Sequence, residues 1–138
     1  MNRSASAIWQ GNRPQGAGLL STESDALSKA PYSLDANIGT NPDELIAAAL
    51  AASFSVALAR ELTLAGLHPA SIHSTATATG DESIAGGMIS HLQLNIRAKV
   101  PDSSQDQFVL AALAARASSP VVRLLKTTIS MTAHLEVD

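Results

Sequence analysis

Three hydroxyls in apolar surroundings are the side chains of this sequence whose chemistry needs an account. Ser53 and Ser55 fall within residues 45–59, a run without a single charge, and Ser119 stands directly before Pro120. A hydroxyl so placed either packs as a small residue, its O–H returned to the carbonyl one helical turn back, or faces a ligand. For Ser53 the packing reading is the expectation. A serine nucleophile would need a Gly-x-Ser-x-Gly elbow and a histidine to serve as base. Ser53 has neither in its sequence context. The four histidines, His68, His73, His91 and His134, include no pair at a metal-ligand spacing, so no metal and no other cofactor is expected. Cysteine is absent from all 138 residues. That excludes disulfides, thiolate metal sites and every thiol-based reaction in this polypeptide.

The element that positions Ser53 is legible. Asn41 suits a helix N-cap, Pro42 suits the first helical position, and Glu44 is spaced to reach back to the cap's backbone N–H. Gly66 and then Pro69 supply the stop. A helix apolar on nearly every side is a buried one, and an uncharged run this short falls below the roughly 20 residues of a membrane span. The helix is therefore expected inside a core or between subunits, with its alanines admitting a second helix. Ser119 reads as the N-cap of a short helix begun by Pro120, and Ser104 with Gln107 as the capping box of the helix before it, in which Val109, Leu110 and Leu113 are the larger apolar residues.

Alternating patterns supply the strands. Residues 4–9 and 18–23 flank a turn rich in Gly, Asn and Pro, and residues 24–38 read as an extended lead into the long helix. A second hairpin joins residues 71–79, with Ile72, Ser74, Ala76 and Ala78 on one face, to a strand with Leu92, Leu94, Ile96, Ala98 and Val100 on its apolar face. A last half-buried strand carries Ile129, Met131, Ala133, Leu135 and Val137. Segregated strands and helices give an α+β class with largely antiparallel sheet. The chain reads as one domain over residues 1–138, small enough to gain from a dimer. A net charge of −3 with 15% charged residues argues against a nucleic-acid surface. No apolar segment follows Met1-Asn2-Arg3, so a cytoplasmic, non-membrane protein is expected.

Taken in order, Leu20-Ser21-Thr22-Glu23-Ser24, Pro31-Tyr32, the stretch from Gly39 through Asn41-Pro42-Asp43-Glu44-Leu45, Ala51-Ala52-Ser53-Phe54 and Ser119-Pro120-Val121 resemble the OsmC/Ohr family of hydroperoxide reductases over essentially the whole chain. The resemblance implies a single OsmC-like domain in an intertwined homodimer, with two long central helices flanked by sheets and sites at the subunit interface. It implies reduction of hydroperoxides by a reactive cysteine, a second cysteine that resolves it, and an arginine and a glutamate that hold the first thiolate. The two cysteine positions fall on Ser53 and Ser119, the glutamate on Asp43, and the hairpin arginine on Gln15, with Arg13 close by. None of the four holds the family's residue. Peroxide reduction needs an ionisable thiolate that can carry the oxidised state, which serine cannot do. The family reaction is therefore expected to be absent from this stress-response relative, and a binding or regulatory role with a small apolar ligand or a hydroperoxide at the interface is the alternative. Two histories lead to such a sequence: deliberate exchange of the thiols, or a natural homologue that lost the constellation. The second accounts for all four changes at once.

Overall fold

The computed structural model describes residues 1–13, 15–35, 37–81 and 83–137. Its contacts gather into two units, Met1–Leu45 and Ile46–Asp138.

In the first unit, β1 (Ala5–Gln10) and β2 (Ala17–Thr22) form the expected hairpin, and β3 (Ala30–Ser33) adds antiparallel to β2. The third strand lies in the segment read as merely extended. Pro31 weakens its signal, and as an edge strand it tolerates a residue without an N–H. Trp9, Gly18 and Tyr32 are register partners across the three strands, and the two rings lie 5.7 Å apart. A Cβ on Gly18 would sit 2.5 Å from the Tyr32 ring, so only glycine fits between them. Gly39 (φ +67°) turns the chain back on β3, where Thr40 N–H donates to Pro31 O at 3.0 Å.

Helix α1 (Pro42–Leu64) starts at Asn41, whose Oδ1 accepts from Glu44 N–H at 2.8 Å. Only half of the expected capping box forms, because the Glu44 carboxylate takes the Thr40 hydroxyl at 2.9 Å instead of the cap's N–H. At the far end Gly66 (φ +80°) lets Leu67 N–H donate to Leu62 O at 2.9 Å, and both leucines are buried.

The second unit holds the body of α1, then β4 (Ser71–Gly80), β5 (Ile89–Lys99), α2 (Gln105–Ser118), α3 (Pro120–Leu124) and β6 (Thr128–Leu135). Its sheet order is β4-β5-β6, antiparallel on one side of β5 and parallel on the other. The β5 to β6 connection is thus a crossover through α2 and α3, and the remaining strand pairs are antiparallel as expected. Leu92, Leu94, Ile96 and Ala98 of β5 face a core shared with Leu50, Phe54, Leu58 and Leu62 of α1 and Phe108 of α2. Burying each such large side chain contributes about 1.5–3 kcal/mol. Val137 lies beyond β6 and is exposed, so the last strand is one alternation shorter than its pattern suggests.

The two long helices each bury one side within the chain. Around Leu50, Phe54, Ala57 and Leu58, α1 is buried within the chain, while Ala48, Ala49, Ala52 and Val56 on its other side are exposed. In α2 the core takes Phe108, Ala111, Ala112 and Ala115, and the larger Val109, Leu110 and Leu113 point outward. Alanines face the core because they allow the close approach that leucines would block.

Candidate functional site

Ser119 is placed by the break between α2 and α3. It has left the helix (φ −62°, ψ 122°), as a residue before proline is driven to do. Its N–H still closes α2 on Ala115 O at 2.8 Å, and its Oγ accepts Val122 N–H at 3.4 Å as the cap of α3. The expected cap is therefore present, and the residue is fully buried. Capping of α2 by Ser104 and Gln107 is complete in both directions.

Ser53, half-buried on α1, meets this joint. Its Oγ lies 2.9 Å from Ser119 Oγ and accepts Val121 N–H at 3.4 Å. In place of the expected bond to the carbonyl one turn back, the Ser53 hydroxyl has Ser119 Oγ and Val121 N–H as its partners. Each hydroxyl has one proton and each already accepts a backbone N–H. Either hydroxyl can donate across the 2.9 Å, so one of the two protons is used between them and the other remains as a donor. Among the described residues no buried side-chain nitrogen or oxygen lacks a partner.

This pair can accept and donate hydrogen bonds. Nucleophilic catalysis needs an adjacent base, and among the described residues the hydrogen bonds of Ser53 and Ser119 run to each other and to backbone N–H groups. Glu61, paired with Arg60 at 3.1 Å, takes the neighbouring Ser118 hydroxyl at 3.4 Å. Among the described residues no group of His, Asp and Glu could hold a metal ion. His91 bonds Ser130 Oγ at 2.9 Å on the polar sheet face.

The other two candidate residues belong to the Met1–Leu45 unit. Asp43 is exposed in the first turn of α1, where its charge suits the helix dipole. Gln15 is exposed in the turn between β1 and β2, as is Arg13; Pro14 lies outside the described residues. The structure thus brings Ser53 and Ser119 into contact.

A second hydroxyl pair emerges on the opposite side of α1, where Ser55 Oγ lies 2.6 Å from Ser74 Oγ. It borders a cavity of about 550 Å³ lined also by His73, Arg97 and Glu136, which includes neither Ser53 nor Ser119. Both serines were visible in sequence, Ser55 mid-helix and Ser74 on an apolar strand face, but their pairing was not foreseen.

A chain with this two-sheet α+β fold has known counterparts. The family described as OsmC-like protein matches residues 35–134. Peroxiredoxin OsmC of Escherichia coli (strain K12) is 36% identical over 140 residues, which cover 99% of this chain and 98% of that protein. The chain belongs to the OsmC family. Among solved structures, an OsmC-like protein from Mycoplasma pneumoniae superposes with a TM-score of 0.81 at 11% identity, covering 99% of each chain. The organic hydroperoxide resistance protein OhrB of Bacillus subtilis does so with a TM-score of 0.66 at 20% identity, covering 96% of this chain and 98% of its own.

Proposed function

We propose that this protein is a cytoplasmic, homodimeric OsmC-family stress protein that has lost hydroperoxide reduction and uses the surroundings of Ser53 and Ser119 to bind a small apolar ligand or an intact hydroperoxide. The observation that carries the reading is the pair itself, two hydroxyls 2.9 Å apart in a chain without any thiol. An alcohol is scarcely ionised near neutral pH and has no sulfenic or disulfide state to hold the oxidation. The pair still offers a hydrogen-bond donor beside apolar helix, which suits a ligand with one oxygen and a hydrocarbon body. The ligand class is supported by the hydroperoxide resistance named for OhrB. The exposed, uncharged side of α1 at Ala48, Ala49, Ala52 and Val56 supports burial against a second copy. Asp43 and Gln15 complete the set of family-equivalent positions.

The test is consumption of cumene hydroperoxide with a dithiol reductant, by the unaltered chain and by a Ser53→Cys, Ser119→Cys, Gln15→Arg variant. No turnover is expected from the first, and measurable turnover from the second. Sustained turnover by the cysteine-less chain would overturn the loss of function. Failure of cumene hydroperoxide and of its alcohol, cumyl alcohol, to raise the melting temperature of the unaltered chain would overturn the binding role.

A further inference from the structure

We infer that the cavity beside Ser55 and Ser74 is a binding site for a free α-amino acid with an apolar side chain, its carboxylate on Arg97 and its ammonium on Glu136. Arg97 on β5 and Glu136 just past β6, the latter held by its N–H on Ala98 O at 2.8 Å, approach each other to 4.0 Å. That is beyond hydrogen-bond length, and among the described residues neither side chain has another polar partner. With side chains 61% and 31% exposed, such a pair contributes little to the fold. Ser55 and Ser74 share one hydrogen bond at 2.6 Å, which uses one of their two protons, and the other proton has no acceptor among the described residues. The cavity of about 550 Å³ thus presents a guanidinium fork, a spare hydroxyl donor and one carboxylate beside the apolar Ala51, Ala52 and Ile72.

The ligand class is read from that set of groups. A simple anion would meet the Glu136 carboxylate and a simple cation the Arg97 guanidinium, each with a like charge close by. A zwitterion avoids both conflicts. The ammonium and carboxylate of an α-amino acid sit on one carbon, close enough together to match side-chain tips 4.0 Å apart. Arg97 takes the carboxylate through its planar fork, Glu136 takes the ammonium, and the spare serine proton is a further donor for the carboxylate. The apolar wall and the remaining volume receive the ligand's side chain. Of the lining residues, Ala52 alone belongs to the exposed side of α1 offered above to a second copy, and the two charged groups stand on and beside the sheet. Neither Ser53 nor Ser119 lines the cavity, so the inference does not rest on the ligand proposed for that pair.

The test is a heteronuclear NMR titration of the full chain, in whatever assembly it forms, with L-leucine, with isocaproate, which lacks the ammonium, and with isoamylamine, which lacks the carboxylate. Leucine is expected to give saturable shifts at the amides of Ser74, Arg97 and Glu136, and each analogue to bind about tenfold more weakly or worse. Arg97→Gln and Glu136→Gln are each expected to weaken leucine binding by about the same factor, and Glu136→Gln to remove the preference for leucine over isocaproate. Circular dichroism checks that the variants are folded, and the two analogues test the same contacts on the unaltered chain. Cumyl alcohol is expected not to displace leucine, so the two sites succeed or fail separately. Absence of saturable leucine binding, which a second copy filling the cavity would also produce, overturns the proposal. So do analogue affinities equal to that of leucine, unchanged binding in both folded variants, or shifts centred on Ser53 and Ser119.

Discussion

Replacing Ser53 and Ser119 together by cysteine should produce a disulfide that forms without rearrangement of the fold. The two Oγ atoms lie 2.9 Å apart, and a disulfide needs sulfurs at about 2.05 Å. Because a C–S bond is longer than a C–O bond, the sulfurs reach toward each other from unmoved Cβ atoms, and the remaining adjustment is a fraction of an ångström. The cross-link joins residues 66 positions apart. Loop-closure entropy for that separation is worth about 4 kcal/mol, an upper value because native strain subtracts from it. For a domain of this size that corresponds to a rise of about 10–15 °C in melting temperature between reduced and oxidised forms. The assay is thermal denaturation with and without dithiothreitol, alongside a count of free thiols after equilibration in glutathione buffer. Two free thiols in a natively folded, oxidised sample would refute the contact between Ser53 and Ser119 on which the site is built.

Three further outcomes test separate parts of the molecule. Ser119→Ala removes the cap of α3 and the partner of Ser53, and should cost about 1–2 kcal/mol in denaturant unfolding, with the midpoint lowered and the slope unchanged. Gly39→Ala meets both a positive φ of +67° and a Cβ 2.1 Å from Pro31 O, so it should cost more than about 2 kcal/mol, read by the same unfolding curve. The Asp81 carboxyl is held below its usual range by the Ser83 hydroxyl and then by the Ser83 N–H. Its folded-state pKa is depressed, so its contribution is present above the ordinary aspartate range and fades as pH falls through the lowered value; an NMR titration should show the depression, and Ser83→Ala should reduce it while the backbone N–H keeps the remainder.

Much of this fold was readable because its signals are local. Asn41-Pro42, Ser104 with Gln107, and Ser119-Pro120 mark helix starts by backbone chemistry that acts within four residues, and all three caps hold in the structure. The alternation of Leu92, Leu94, Ile96 and Ala98 marks a core face because a strand has only two sides. Hidden features depended on partners distant in sequence. Strand β3 is fixed by pairing with β2 rather than by its own Ala-Pro-Tyr-Ser residues, and the parallel placement of β6 follows from the crossover, not from its alternation. Apolar content alone could not say which side of α2 turns inward, since alanine and leucine both satisfy the pattern and close packing selects alanine. At the site, residue patterns located Ser53 and Ser119 separately, and the family resemblance implied that they act together. The fold supplies the contact itself, and with it a partner for Ser53 other than its own helix.

The parallel seat of β6 beside β5 carries a consequence for the order in which this protein matures. The central strand keeps one side unpaired until residues 128–135 have been synthesised and carried across by α2 and α3. Until then the edge of β5 stands open beside its row of leucines, a template for wrong pairing with a neighbouring nascent chain. A chain interrupted before residue 128 should therefore be an aggregation-prone translation product.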